Sequence, residues 1–192
     1  YHYRKIKEKK YSDIRIELAD AEAKGELLGV FAGDGTFFFN KKIYCYVIKF
    51  FFNSKTELEY AKELARFFGR EFGKEPHLRV EKKGGIVSLT YMSKRLYNFL
   101  KEYLFWRITD RLKKSHTVRL KEKRHSKKFK VGFLRGCLDS DGYLSKKKIS
   151  FASTSRELMK NIEWFLHELG FKRHRILEYQ DKRPNRAKMY YV

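Results

Sequence analysis

Cysteine is scarce. Cys45 and Cys137 are the only two in 192 residues, and their separation fits neither a disulfide framework nor a metal-binding spacing. A reducing, intracellular compartment is the simpler expectation, with cytoplasm and organelle not distinguished. Long apolar runs are missing too. No stretch of eighteen apolar residues occurs, so nothing is expected to span a membrane. The basic start leads into no short apolar segment with a small-residue cleavage site, so a secretory signal is not expected either. Tyr1 is not an initiator Met, which suggests a start inside a longer product or a lost beginning. Acidic residues are few: 23 Asp and Glu stand against 45 Lys and Arg, a formal charge of +22. A folded chain this positive calls for a polyanionic partner, nucleic acid first and an acidic membrane surface second. Aromatics, by contrast, are plentiful. With 42% hydrophobic residues, including 17 Phe and 13 Tyr, a disordered polycation is excluded.

Along the chain, residues 1–19 form a basic extension without clear periodicity. Asp20 then caps a helix that should stop at Gly33-Asp34-Gly35, where glycine tolerates the backbone of a helix end. TFFFNKKIYCYVIKFFFN reads as a hairpin, Ser54 to Phe72 as a helix, and HLRVEK with IVSLTYM as a second hairpin. A helix from Ser93 closes this first half. Residues 107–130 are dominated by charge, and 113–130 read as a basic connector, either solvated or partly ordered on the partner. The grammar then restarts: VGFLRGCLDSDG as a helix, YLSKKKISFAS as a hairpin, TSRELMKNIEWFLHELGF as a helix, RHRILEYQ with AKMYYV as a last hairpin.

That restart is an internal repeat. LLGVFAGDG (27–35) lies under LRGCLDSDG (134–142), placing Gly25 on Gly132, Gly29 on Gly136, Gly33 on Ser140 and Asp34 on Asp141. NSKTEL (53–58) likewise matches STSREL (153–158). The fold class expected is therefore α+β, with two pseudo-symmetric αββαββ(α) repeats at 20–112 and 131–192. The second lacks room for the closing helix of the first. Gly25, Gly29 and Gly33, and Gly132, Gly136 and Ser140, recur every four residues and line one face of each helix. A helical glycine costs about 1 kcal/mol relative to alanine, so such a stripe calls for a compensating close contact, most naturally between the two helices. Asp34 and Asp141 would then meet at two negative helix ends. Two carboxylates so placed need cations, and a hard divalent ion such as Mg²⁺ meets that need. Such an ion also lowers the pKa of bound water and stabilises a displaced alkoxide in phosphodiester cleavage.

The two segments resemble the paired signature of the LAGLIDADG homing endonucleases in their single-chain, two-motif form. LRGCLDSDG matches it well, including Asp139, while LLGVFAGDG departs by having Ala32 at the first acid. The resemblance covers about residues 22–192. It implies a monomeric, site-specific endonuclease that cuts both strands of duplex DNA at a long target, with one catalytic acid, Asp34 or Asp141, for each strand. The carbonyls of Gly33 and Ser140 would add metal ligands. Asn53 and Ser153, at the ends of the second strands, would position metal-bound water, and Ser153 is shorter than the usual amide there. Lys114 or Lys113 would be the active-site lysine. Mg²⁺ is the expected ion, Mn²⁺ a substitute, and Ca²⁺ an ion that binds without supporting efficient cleavage. Each repeat's sheet would be curved and lie along the major groove. Two other readings share the fold: an intron-RNA-binding splicing maturase, and a DNA-binding protein without catalysis.

The second hairpin supports a DNA-facing sheet on its own. Leu78, Val80, Val87, Leu89 and Tyr91 alternate with His77, Arg79, Glu81, Ser88 and Thr90, giving one core face and one face suited to base edges. Lys83 in its turn is a further phosphate or base contact. The FFF runs of the first hairpin show no alternation, and RHRILEYQ assigns no face. Trp106 and Trp164 read as core anchors on helices, Cys137 as packing, and His116 and His125 as solvated or phosphate-contacting. Lys146-Lys147-Lys148 reads as a turn.

Overall fold

The computed structural model describes residues 20–192, apart from 82–83, 110–112, 123, 147, 173 and 181–186. The basic extension at 1–19 and Lys83 lie outside the described residues. Two compact units divide the chain: Gly35–Glu102 forms one, and residues 20–34 together with Tyr103–Val192 form the other. Both motif helices thus belong to the second unit.

The first unit is a four-stranded antiparallel sheet with helices on one face. Its strands are β1 (Gly35–Asn40), β2 (Cys45–Asn53), β3 (His77–Val80) and β4 (Ile86–Met92), in the order β1-β2-β4-β3. Helix α2 (Leu58–Phe72) buries Ala61, Leu64, Ala65 and Phe68, the i, i+3, i+4, i+7 stripe of an amphipathic helix. Phe68 packs on Phe50 and Tyr91, with ring centroids 5.7 and 5.0 Å apart. Helix α3 (Lys94–Tyr103) covers the rest of that face, where Tyr97 stacks on Phe37 at 4.3 Å and on Tyr46 at 4.7 Å. Strand pairing settles the faces of the FFF runs. Phe50 pairs with Gly35 and Leu89, while Phe38 pairs with Val47, which pairs with Met92. Phe37, Ile48, Phe50 and Phe52 therefore share the core face, and Phe38 and Phe51 share the open one. Val80 departs from the expected alternation by being exposed, because it ends the edge strand β3. Ser88, expected outward, is buried in the sheet centre.

The second unit opens with α1 (Ala21–Gly33), whose N-cap Asp20 accepts a hydrogen bond from the Glu22 N–H at 2.8 Å. Leu27, Leu28, Gly29, Val30, Phe31 and Ala32 are consecutive and all buried, so the C-terminal half of α1 is apolar all round and sits inside the unit. The stretch read as a connector carries structure. Strand β5 (Leu104–Phe105) pairs with β6 (Arg119–Leu120), and the short helix α4 (Lys114–Thr117) lies between them. Helix α5 (Lys127–Asp141) begins four residues earlier than the apolar pattern suggested, because Ser126 caps it by accepting the Phe129 N–H. Four short strands follow: β7 (Gly142–Leu144), β8 (Ile149–Ser153), β9 (Leu177–Tyr179) and β10 (Met189–Tyr191), in the order β7-β8-β10-β9. Helix α6 (Arg156–Glu168), capped by Ser155, buries Leu158, Met159, Ile162, Phe165 and Leu166 against them. Trp106 is buried but lies beyond β5 rather than on a helix, and Trp164 is 46% exposed. The latter corrects the core-anchor reading: the buried positions of α6 set a phase that leaves residue 164 outside. Leu177 and Tyr179 of β9 pair with Tyr191 and Met189, and all three residues of β9 are exposed, as befits an edge strand.

Candidate metal centre

The contact between α1 and α5 is made backbone to backbone. A Cβ added at Gly25 would run into the Phe129 carbonyl, one at Gly29 into the Phe133 carbonyl, one at Gly132 into the Glu22 carbonyl and one at Gly136 into the Glu26 carbonyl, all inside 3.0 Å. Each helix therefore gives its glycines to the carbonyls of the other. That reciprocity explains why the stripe occurs twice, and it offsets the cost of helical glycine through close packing. Arg135 of α5 bridges back to Glu22 and Glu26 of α1 at 2.6 and 3.4 Å.

Such packing brings the two helix ends together. At Gly33 a Cβ would meet the Ser140 side chain, and Asp141 Oδ2 lies 3.3 Å from that position. Asp34 follows as the C-cap of α1, and Asp141 is the last residue of α5. Burial raises the Asp141 carboxyl above its ordinary value, against a lowering by Lys114. The pocket therefore disfavours a bare negative charge.

Lys114 is the third member of the cluster. Its side chain is buried, and Nζ donates to the carbonyls of Phe31, Ala32 and Gly33 at 2.5, 2.7 and 3.0 Å. The remaining carbonyl of the last turn, that of Val30, accepts from the Asp34 N–H. All four terminal carbonyls of α1 are thereby satisfied, three of them by one ammonium placed at the negative end of the helix dipole. Burial pulls the Lys114 pKa down to about 7, against the carboxylates of Asp141 and Asp34, which favour the charged form. Of the two candidate lysines, Lys114 is the one at the acids. Lys113 is exposed and caps the short helix α4.

The other candidate residues lie elsewhere or play local roles. Ser153 is buried, two residues beyond the Phe151 that pairs with Gly142, and its Oγ accepts the Ser155 N–H at 3.0 Å. Asn53 belongs to the first unit, where its side-chain oxygen accepts the Lys55 N–H at 2.9 Å. His77, Arg79 and Thr90 lie on the open face of the first sheet in register with Lys49 and Thr36 or with Ser88. Glu81 is exposed just past β3, its N–H donating to the Ile86 carbonyl. Cys137 is buried against α1, its thiol 3.8 Å from the Gly29 carbonyl. His125 stacks on Phe129 with centroids 4.0 Å apart and is a packing residue.

The donor set suits a hard cation. Among the described residues, no group of three or more His, Cys, Asp or Glu side chains gathers around a common point. Two carboxylates at converging helix ends, beside carbonyl oxygens, match an ion that keeps water and takes further ligands from a phosphate. Among the described residues, no helix is long and apolar enough to cross a membrane.

Comparison with known proteins bears on the fold. Residues 128–192 match the sequence profile of the LAGLIDADG-like domain. No curated protein matches the chain by sequence. Solved structures do match by fold. I-DmoI in complex with DNA and Ca is 16% identical with a TM-score of 0.60, the alignment covering 89% of this chain and 81% of that one. A variant of I-DmoI with its target DNA in the presence of Mg is also 16% identical, with a TM-score of 0.62 over 91% and 89% of the two chains. The N-terminal LAGLIDADG domain of DUF199/WhiA, again 16% identical, gives 0.56 over 94% and 79%. Residues 128–192 are thus similar to a LAGLIDADG-like domain, and the chain shares the fold of I-DmoI, a LAGLIDADG homing endonuclease.

Proposed function

We propose that the protein is a site-specific DNA endonuclease that hydrolyses phosphodiester bonds in both strands of a duplex with a divalent metal. The observation that carries this reading is the convergence of Asp34 and Asp141 at two helix ends, with the Lys114 ammonium on the adjoining carbonyls. Asp34 and Asp141 would hold Mg²⁺ (or Mn²⁺), with the Gly33 and Ser140 carbonyls as further oxygen donors. When bound, the ion supplies a water of lowered pKa and charge stabilisation for the departing 3′ oxygen. Lys114 keeps the end of α1 closed and places a positive charge where phosphate oxygens arrive. Asn53 in the first half and Ser153 in the second would orient the attacking water. The chain acts as a monomer, since both motif helices are its own, and the two sheets each take one half of a long target. Its charge of +22 makes binding steeply salt-dependent, with a log–log slope of roughly −5 to −9 if 6–10 phosphates are neutralised.

The test is cleavage of a randomised duplex library, with and without Mg²⁺. Cutting is expected with Mg²⁺ or Mn²⁺ and not with Ca²⁺ or EDTA. Asp34→Asn and Asp141→Asn should each abolish double-strand cutting while leaving binding within a few-fold of the parent. Tight binding to intron RNA, with no duplex cut under any metal, would replace this reading with the maturase one. Tight binding to duplex DNA without cutting would replace it with the regulator one.

A further inference from the structure

The open face of the first sheet is unusually apolar for a surface expected to meet nucleic acid. Phe38 and Met92 flank the buried Val47 in one cross-strand row, and they are 43% and 53% exposed. Phe51, 41% exposed, occupies the row of Ser88 and Arg79. Between them runs a polar row of Thr36, Lys49, Thr90 and His77. Lys49 Nζ sits 5.7 Å from the centroid of the Phe38 ring, so an exposed aromatic and a cation share one spot. The opposite face is taken up by α2 and α3, so these side chains are not core.

We infer that this face reads thymine methyl groups, through Phe38 with Met92 and through Phe51, in the half-site that the first sheet contacts. In the major groove the C5 methyl is the one apolar feature of a base edge, and apolar side chains are what recognise it. Lys49, His77 and Arg79 beside those side chains direct the face towards a polyanion rather than an apolar protein surface. The two apolar rows are separated by four residues of β2, Val47 to Phe51, or roughly 13 Å at strand rise. Against a rise of about 3.4 Å per base along a strand, the two thymines fall about four base pairs apart, with polar readout between them. The inference rests on the reading that this sheet binds duplex DNA, and it adds which bases are selected and by which residues.

Its experiment uses binding rather than cleavage. Duplexes retained by the intact chain in Ca²⁺ are selected from a randomised pool and sequenced. Each selected thymine is then replaced by deoxyuridine, which removes only the methyl. The expected result is enrichment of thymine at two positions about four base pairs apart, with a three- to five-fold loss of affinity on each uracil replacement, as for one buried methyl. Phe38→Ser should abolish the effect of uracil at one position and Phe51→Ser at the other, each leaving the remaining position sensitive. Both side chains are half-exposed, and circular dichroism of the variants confirms folding. Duplex binding without thymine enrichment, or with indifference to uracil in the parent protein, overturns the inference and leaves the endonuclease reading standing. Self-association abolished by Phe51→Ser overturns it in favour of a protein interface. Failure to retain any duplex overturns the reading beneath it.

Discussion

The two motif helices share two stripe glycines and the terminal acid, yet their ends are completed differently. At α1 the carbonyls of Phe31, Ala32 and Gly33 are collected by a lysine eighty-odd positions further along the chain. At α5 the Gly142 N–H reaches the Leu138 carbonyl, and Ser140 Oγ turns back to the Gly136 and Cys137 carbonyls. The N-termini differ as well. Asp20 caps α1 at an exposed start, whereas Ser126 caps α5 with His125 stacked on Phe129 just beside it. The shared part is what one helix must offer the other, since each stripe is the socket for its partner's carbonyls. The unshared part is what surrounding elements supply: Lys114 of α4 lies near both acids but donates its hydrogen bonds to the end of α1.

The comparison breaks most completely at the shared part. Gly29→Val or Gly136→Val places a branched side chain on a backbone carbonyl that cannot turn away. Either variant should cost more than about 3 kcal/mol in urea unfolding, at or beyond the upper range for overpacking. By contrast, the Cβ at Gly33 meets a side chain, that of Ser140. Gly33→Ala should therefore be milder, and Ser140→Gly in the same chain should recover part of the loss. Equal losses for Gly29→Val and Gly33→Ala would mean that the helices are not in backbone contact.

At the unshared C-terminal ends, Lys114→Met removes the donor from three carbonyls of α1 and the positive charge from beside Asp34 and Asp141. Cleavage should fall on the order of 10²-fold in single-turnover measurements, as for removal of one preorganised electrostatic group. Stability should fall by about 1–3 kcal/mol through acceptors left unpaired. Lys113→Met, at the exposed neighbour, should change neither. If the Lys113 variant were the slower of the two, the asymmetry between the helix ends would have no bearing on the chemistry.

Much of this asymmetry could not be read from the chain alone, for a physical reason. Glycines and serine at i, i+4, i+8 announce a close helix contact because nothing else offsets their cost, so the stripe, the acids and the αββαββ order were legible. Lys114 sits in a stretch where basic residues are everywhere, and composition there left it level with Lys113. Only long-range packing onto α1 singles it out. The start of α2 at Leu58 rather than Ser54 also hides in side-chain chemistry. Asn53 Oδ1 takes the Lys55 N–H, and Glu57 reaches back to the Asn53 N–H, making a turn before the helix. The faces of the FFF runs follow from pairing register, which a run of identical residues cannot encode. Trp164 was within reach, because the phase of Leu158, Ile162 and Phe165 already placed it outside.

The smallest test concerns the helix N-termini. Burial lowers the His125 pKa below its ordinary value, partly opposed by the hydrogen bond with the Glu122 carbonyl. The folded state therefore holds this imidazole neutral, while the unfolded chain takes up a proton near pH 6.5. Below that pH the unfolded state binds more protons than the folded one, so this contribution to stability is present above pH 6.5 and is lost as the pH falls towards the lowered value. His125→Phe keeps a ring on Phe129 and removes the titration. It should flatten the decline in Tm between pH 7 and pH 5.5 by an amount equivalent to less than about 1 kcal/mol. An unaltered slope in the His125 variant would show that the stack carries no proton-linked stability, and that the two N-termini differ in shape alone.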